Sequence, residues 1–303
     1  MDTMHLLHPA SPDEFLSAFA QLTGLDLKDY IDAVSGIESE HIFLVGSIPQ
    51  GSATPVSDID LIVTGTHRYP YHPDDGILWQ QSAGGGMMVA EFFSEVDGHE
   101  IDITLVNLDA ITSLVAGLAS GNTHMSDLEI KVLSILKNGW QLQGQLEFDH
   151  LQSGDLELFS AIRHCTLALQ EFNDALHARD NGPFCLSMLR SVVFRIASSF
   201  LAMNGLCFTG PKWVKKAQHL HRNGPLSTAS QALLQRMLAL FTDDAPMTLK
   251  DLTGAITSVS ALIDDFYQIA LEDYLNFSIA IQINQEISAL ESANKEALCT
   301  ILK

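Results

Sequence analysis

Gly46-Ser47-Ile48-Pro49-Gln50-Gly51-Ser52-Ala53-Thr54-Pro55-Val56-Ser57-Asp58-Ile59-Asp60-Leu61 carries a glycine-containing turn directly into two aspartates separated by one isoleucine. Side chains alternate along a strand, so Asp58 and Asp60 point to one face while Ile59 and Leu61 point to the other, into a core. Carboxylates held this close repel unless a cation lies between them. Hard oxygen ligands on a rigid strand suit Mg²⁺. Taken alone, a solvated aspartate pair at a strand end is the plainer reading.

Two further features add to it. Upstream, the apolar run His41 to Val45 ends in Gly46-Ser47, whose backbone amides and hydroxyl suit a phosphate. Downstream, Glu100-Ile101-Asp102-Ile103-Thr104 reads as a strand with Glu100, Asp102 and Thr104 on one face. A third carboxylate there would complete a metal site or act as a base. Asp102, flanked by Ile101 and Ile103, is the preferred candidate; Glu100 takes its place if the strand is offset by one pleat.

Outward from these motifs, the rest of the chain reads in two parts. Ser11-Pro12-Asp13-Glu14 has the form of an N-cap, a first-position proline and acids in the first turn, and so opens a short helix. His41 to Val45, Leu61 to Thr64, Met87 to Phe93 and Glu100 to Val106 read as strands, the last two joined by the turn dipeptide Asp97-Gly98. Ser126-Asp127-Leu128-Glu129 is a capping box, and its helix stops at Asn138-Gly139. Gln141 to Gly154 reads as a connection, and beyond it the apolar period is helical throughout. Helices are expected over Leu156 to His177, Phe184 to Met203, Pro211 to His221, Ser227 to Phe241, Thr248 to Leu275 and Ser278 to Leu302. The expected class is α+β: a small mixed-sheet domain over residues 1–140, then an all-α helical bundle over 141–303. Gly65 to Gly86, with Tyr69, Tyr71 and Trp79, is long for a loop and reads as either a functional loop or a surface insertion.

The order Gly46-Ser47, Gly51, Ser57-Asp58-Ile59-Asp60-Leu61, then a later strand acid resembles the DNA polymerase beta-type nucleotidyltransferase superfamily. Its small-molecule members, such as the aminoglycoside and lincosamide nucleotidyltransferases, pair a minimal catalytic domain with a carboxy-terminal helical bundle. The motifs cover Val45 to Val106. The resemblance implies two Mg²⁺ ions and attack by an acceptor hydroxyl on the α-phosphorus of a nucleoside triphosphate, ATP by default, with pyrophosphate leaving. Asp58, Asp60 and Asp102 would be the catalytic and metal-binding acids. Gly46, Ser47 and Ser57 would meet the nucleotide. Pro49 and Pro55 interrupt a segment that is commonly helical in that superfamily, so any helix there must be short.

Charge and composition narrow the partners. The chain has 303 residues, a formal net charge of -21 and 47% hydrophobic residues, so two domains with their own cores are expected. Such acidity repels a phosphate backbone, which argues against long nucleic acid and against a tRNA acceptor. No apolar run reads as a membrane span, and the start lacks the pattern of a secretory signal; the expected setting is cytoplasmic. The cysteines, Cys165, Cys185, Cys207 and Cys299, are irregularly spaced and fit neither a zinc site nor a disulfide framework.

Before Lys131 the only lysine and arginine are Lys28 and Arg68, whereas Arg190, Arg195, Lys212, Lys215, Lys216 and Arg222 fall close together. Pro211 at a helix start puts Lys212 in the first turn, where lysine and helix end would together receive triphosphate charge across a domain cleft. Arg190 and Arg195, inside an apolar helix, are expected to pair with acids of the first domain. The anionic first domain fits a polycationic small-molecule acceptor such as an aminoglycoside, with Glu91, Glu95, Asp97 and Glu100 as candidate lining. The competing readings are a toxin-antitoxin or defence-type nucleotidyltransferase acting on a protein or tRNA, and a nucleotide-binding regulatory module without chemistry.

Overall fold

The structure, a computed structural model, describes residues 4–67, 78–81, 87–120, 125–146, 151, 154–207, 226–240, 251–274 and 277. The chain divides into two compact units, Met1–Asp155 and Leu156–Lys303. The class is α+β, a mixed sheet with helices followed by a helical unit.

In the first unit α1 (Met4–Leu7), α2 (Pro12–Thr23) and α3 (Leu27–Ser35) precede β1 (Ile37–Val45) and β2 (Ile59–His67). Then come β3 (Leu78–Gln81), β4 (Met88–Val96), β5 (His99–Val106), α4 (Leu108–Ser120), α5 (Asp127–Lys137) and β6 (Trp140–Gln143). The six strands lie in the order β3-β4-β5-β2-β1-β6, and β2 with β5 is the parallel pair. The caps are those the sequence signals: the Ser11 hydroxyl accepts from the Glu14 amide, and Ser126 with Glu129 closes a capping box. The β4–β5 hairpin turns on Asp97 (φ 50°) and Gly98 (φ 81°), the left-handed pair that a tight two-residue turn requires.

One face of the sheet is the core. Ile42, Leu44, Ile59, Leu61, Val63, Ile101 and Ile103 are buried there with Phe15, Phe19 and Ile31 from α2 and α3. On the opposite face, Phe43, Val45, Ile62, Val89 and Val106 are also buried, and α5 packs against β1.

The expected boundary at 140/141 does not hold, because β6 pairs with β1 through Phe43 and Gln141 and through Leu44 and Trp140. Sheet pairing thus draws the supposed connection into the first unit. The supposed loop from Gly65 also contains the end of β2 and all of β3, while 68–77 and 82–86 lie outside the described residues. Between Gly46 and Asp58 the chain makes turns and no helix.

In the second unit α6 (Asp155–His177), α7 (Gly182–Met203), α8 (Thr228–Leu240) and α9 (Leu252–Asp273) pack together. Among the described residues α7 is the one helix long and apolar enough to cross a membrane, contrary to the expectation that no run is. It packs on α8 and α9, and its Ser199 hydroxyl donates to the Ala161 carbonyl of α6 at 2.8 Å, so its apolarity is that of a bundle's central helix. Arg195 pairs with Glu171 of α6 at 3.3 Å, an acid of the helical unit, and Arg190 is exposed. Cys165, Cys185 and Cys207 are buried, and burial pushes the Cys165 thiol up to about 11. The expected helices over 211–221 and 278–302 lie outside the described residues.

Candidate active site

The parallel pairing of β2 with β5 makes Asp60 and Asp102 register partners. Neither residue is fully buried, and Asp58, just before β2, is exposed. The neighbours Ile59, Leu61, Ile101 and Ile103 are all at most 1% exposed, so alternation fixes both carboxylates on the face away from the helical core. Glu100 lies one pleat nearer the hairpin, where its partner is Glu95. The register therefore puts Asp102, rather than Glu100, opposite Asp60.

Gly46 ends β1 over Asp60. Its φ of 74° is left-handed, and a Cβ built there would overlap Asp60 Oδ2 and stand 2.7 Å from Asp60 Cγ. Glycine is needed twice over, for the backbone conformation and for the space the carboxylate occupies. Ser47 is buried, and its carbonyl accepts from the Ser52 amide at 3.0 Å, closing the turn that runs through Gly51. Ser57 closes the next turn: its hydroxyl accepts from the Thr54 amide at 2.8 Å and bonds Thr54 Oγ1 at 3.1 Å. Its established job is thus to set the approach of Asp58 to the strand.

The electrostatics follow from this crowding. Partial burial, then the charges of Asp60, Glu100 and Asp58, push the Asp102 carboxyl up to about 7. Its Oδ1 is a buried atom without a hydrogen-bond partner. Among the described residues no three His, Cys, Asp or Glu side chains converge into a ready-made metal cluster. The acids share a neighbourhood, and their donor set fits a hard divalent cation: oxygen ligands only, mutually repelling, with one orphaned oxygen. Lys212, with Lys215, Lys216 and Arg222, lies outside the described residues.

One feature of this face was not anticipated. Phe93 is the β4 register partner of Asp102, so Asp60, Asp102 and Phe93 run in a row across β2, β5 and β4. Phe93 is 57% exposed. The doublet Phe92-Phe93 carried the signal, since strand alternation must turn one of the two rings away from the core.

No family model matches the chain, and no curated protein matches it. Among solved structures it is similar to a nucleotidyltransferase-like protein from Exiguobacterium sibiricum 255-15, at 12% identity and a TM-score of 0.38. That similarity covers 85% of this chain and 78% of that chain.

Proposed function

We propose that the protein is a Mg²⁺-dependent nucleotidyltransferase. It transfers a nucleoside monophosphate, AMP from ATP, to a hydroxyl of a small-molecule acceptor and releases pyrophosphate. The observation that carries this reading is the pairing of Asp60 with Asp102 on adjacent parallel strands, with Asp58 at the strand entry and Gly46 folded over Asp60. A structural role alone does not account for a carboxyl, Asp102, whose proton affinity burial and neighbouring acids raise.

Asp58, Asp60 and Asp102 would hold two Mg²⁺ ions, which when bound neutralise charge on the entering and leaving oxygens. The Gly46-Ser47 turn orients the triphosphate through backbone amides. The acceptor oxygen bonds to the α-phosphorus as the bond from that phosphorus to the bridging oxygen of pyrophosphate breaks. The hydroxyl proton passes to the Asp102 carboxylate. The sequence alone proposes Lys212 as the cation for charge that develops on the departing pyrophosphate. A first unit with so few basic residues favours a polycationic acceptor such as an aminoglycoside.

Incubation with labelled triphosphates, Mg²⁺ and a panel of amino-sugar and neutral hydroxyl acceptors tests the proposal. Label transfer with stoichiometric pyrophosphate is expected. Retention of nucleotide with no pyrophosphate under any condition would instead identify a binding module.

A further inference from the structure

The exposed ring of Phe93 stands at the end of the acid row, and an open cavity of about 410 Å³ is lined by Phe93, Ser94, Glu95, Gly98 and Glu100. The register explains how these residues meet. Glu95 and Glu100 are partners one step nearer the hairpin than Phe93 and Asp102, and so lie on the same face. Ser94 points the other way, bonding Tyr30 Oη at 2.8 Å, and anchors β4 to the helical side beneath the ring. With 57% of its surface exposed, the Phe93 ring presents a face that a ligand can cover.

The row has two ends. Gly46 occupies the Asp60 end, and under the function proposed above the triphosphate binds there. We infer that Phe93, with Glu95 and Glu100, is the acceptor subsite at the other end: a small hydroxylated ring bearing a protonated amine lies on Phe93, its amine toward the two carboxylates and its hydroxyl toward Asp102. The ring face supplies both apolar contact and attraction for the cation, and the carboxylates supply the charge. Phe93 on this account is a specificity and positioning residue. The inference rests on the nucleotidyltransferase reading for the identity of the ligand as an acceptor, but the subsite is testable by binding alone.

The probes are trans-4-aminocyclohexanol and its uncharged counterpart 1,4-cyclohexanediol, titrated into the full chain with ligand-observed NMR. The amine is expected to bind at least about threefold more tightly than the diol, with the preference weakened by 0.5 M salt. Phe93→Leu should weaken amine binding by about three- to fivefold and Phe93→Tyr should restore it, the range expected for an exposed cation–aromatic contact. Glu95→Gln combined with Glu100→Gln should abolish the preference for the amine over the diol. Because Phe93 is exposed, these variants keep the fold, which circular dichroism verifies. Equal binding of amine and diol, no amine binding, or an unchanged Phe93→Leu protein overturns the subsite. Pyrophosphate release by the wild type separates the two proposals: release with an unchanged Phe93→Leu sinks the subsite only. An amine-selective Phe93 site in a protein that never releases pyrophosphate sinks the transferase reading and leaves the subsite standing.

Discussion

Replacing Gly46 with alanine tests whether the turn and the carboxylate row are one device. The new Cβ would overlap Asp60 Oδ2, with Asp60 Cγ at 2.7 Å and its Cβ at 3.1 Å, on a backbone whose φ is 74°. A left-handed alanine costs about 1–2 kcal/mol, and pushing the Asp60 side chain off its rotamer adds about 0.5–1.5 kcal/mol. The expected destabilisation is about 2–3 kcal/mol, read as a fall in Tm of about 4–12 °C for a unit of this size. Turnover should fall about a hundredfold or more, because moving a reactive group by about 1 Å is enough for such a loss. A double-mutant cycle with Asp60→Ala separates the two causes, since that change removes Cγ and Oδ2 but leaves the backbone strain. A coupling energy of about 0.5–1.5 kcal/mol is expected in urea denaturation. If Gly46→Ala lies within about 0.5 kcal/mol of wild type and the cycle shows no coupling, the proposed contact between turn and carboxylate is wrong.

Asp58→Asn and Asp60→Asn should each remove nucleotidyl transfer while leaving the Tm unchanged or slightly raised; substantial residual turnover in either would make the metal-site reading untenable. Asp102→Asn should be silent in stability near pH 4 and stabilising at pH 8. The folded carboxyl titrates at about 7 against 3.8 for its ordinary value, so between those values the folded state holds a proton that the unfolded chain has released. Wild-type stability falls as pH rises through that window, and the substitution removes the loss. After allowance for solvent screening the gain is about 1–2 kcal/mol, measured by urea denaturation at the two pH values. Lys212→Ala should weaken triphosphate binding and slow turnover; unchanged affinity and rate would dissociate the helical unit from phosphate recognition.

Local signals were legible wherever the residues that close a structure are neighbours in sequence. Ser11 caps α2, Ser126 and Glu129 close their box, and Asp97-Gly98 turns the hairpin. Shorter or less regular elements were not. The apolar residues of β6 are only Trp140 and Leu142, too few to define a period, and β6 exists because β1 offers it an edge. Helix α4 is not among the expected elements although Leu108, Ala110, Leu114, Ala116, Leu118 and Ala119 favour helix, because the β-branched Ile111, Thr112 and Val115 and Gly117 interrupt that preference; α3, between Asp26 and Gly36, is short and likewise not among them. At the site, alternation along β2 is enough to turn Asp60 away from the core, whereas Asp58 precedes the strand and its direction is not set by alternation. That Asp102 is the register partner of Asp60 depends on the parallel pairing of strands separated by two others in sequence, which no local pattern encodes. The approach of Gly46 to Asp60 has the same character: the glycine is visible, while the carboxylate that requires it is not.

The acids of this face also bear on where their compensating charge originates. Lys28 precedes every other lysine in the chain, and its ammonium is committed on another element: it bonds Asp32 at 2.9 Å and the Ser39 carbonyl at 2.7 Å. The two carboxyls show what that commitment does. Burial pushes Asp32 up, but hydrogen bonds from Ser39 and Lys28 outweigh it and hold the group below its ordinary range. Asp102 has burial and three like charges acting on it, and it rises. A fold selected only for stability would relieve such a position, because an amide or apolar residue costs less there than a repelled carboxylate. Its presence beside Asp60 is explained if the compensating cation arrives with the ligand. The cost is then borne only by the free protein and is recovered when divalent ion and triphosphate bind.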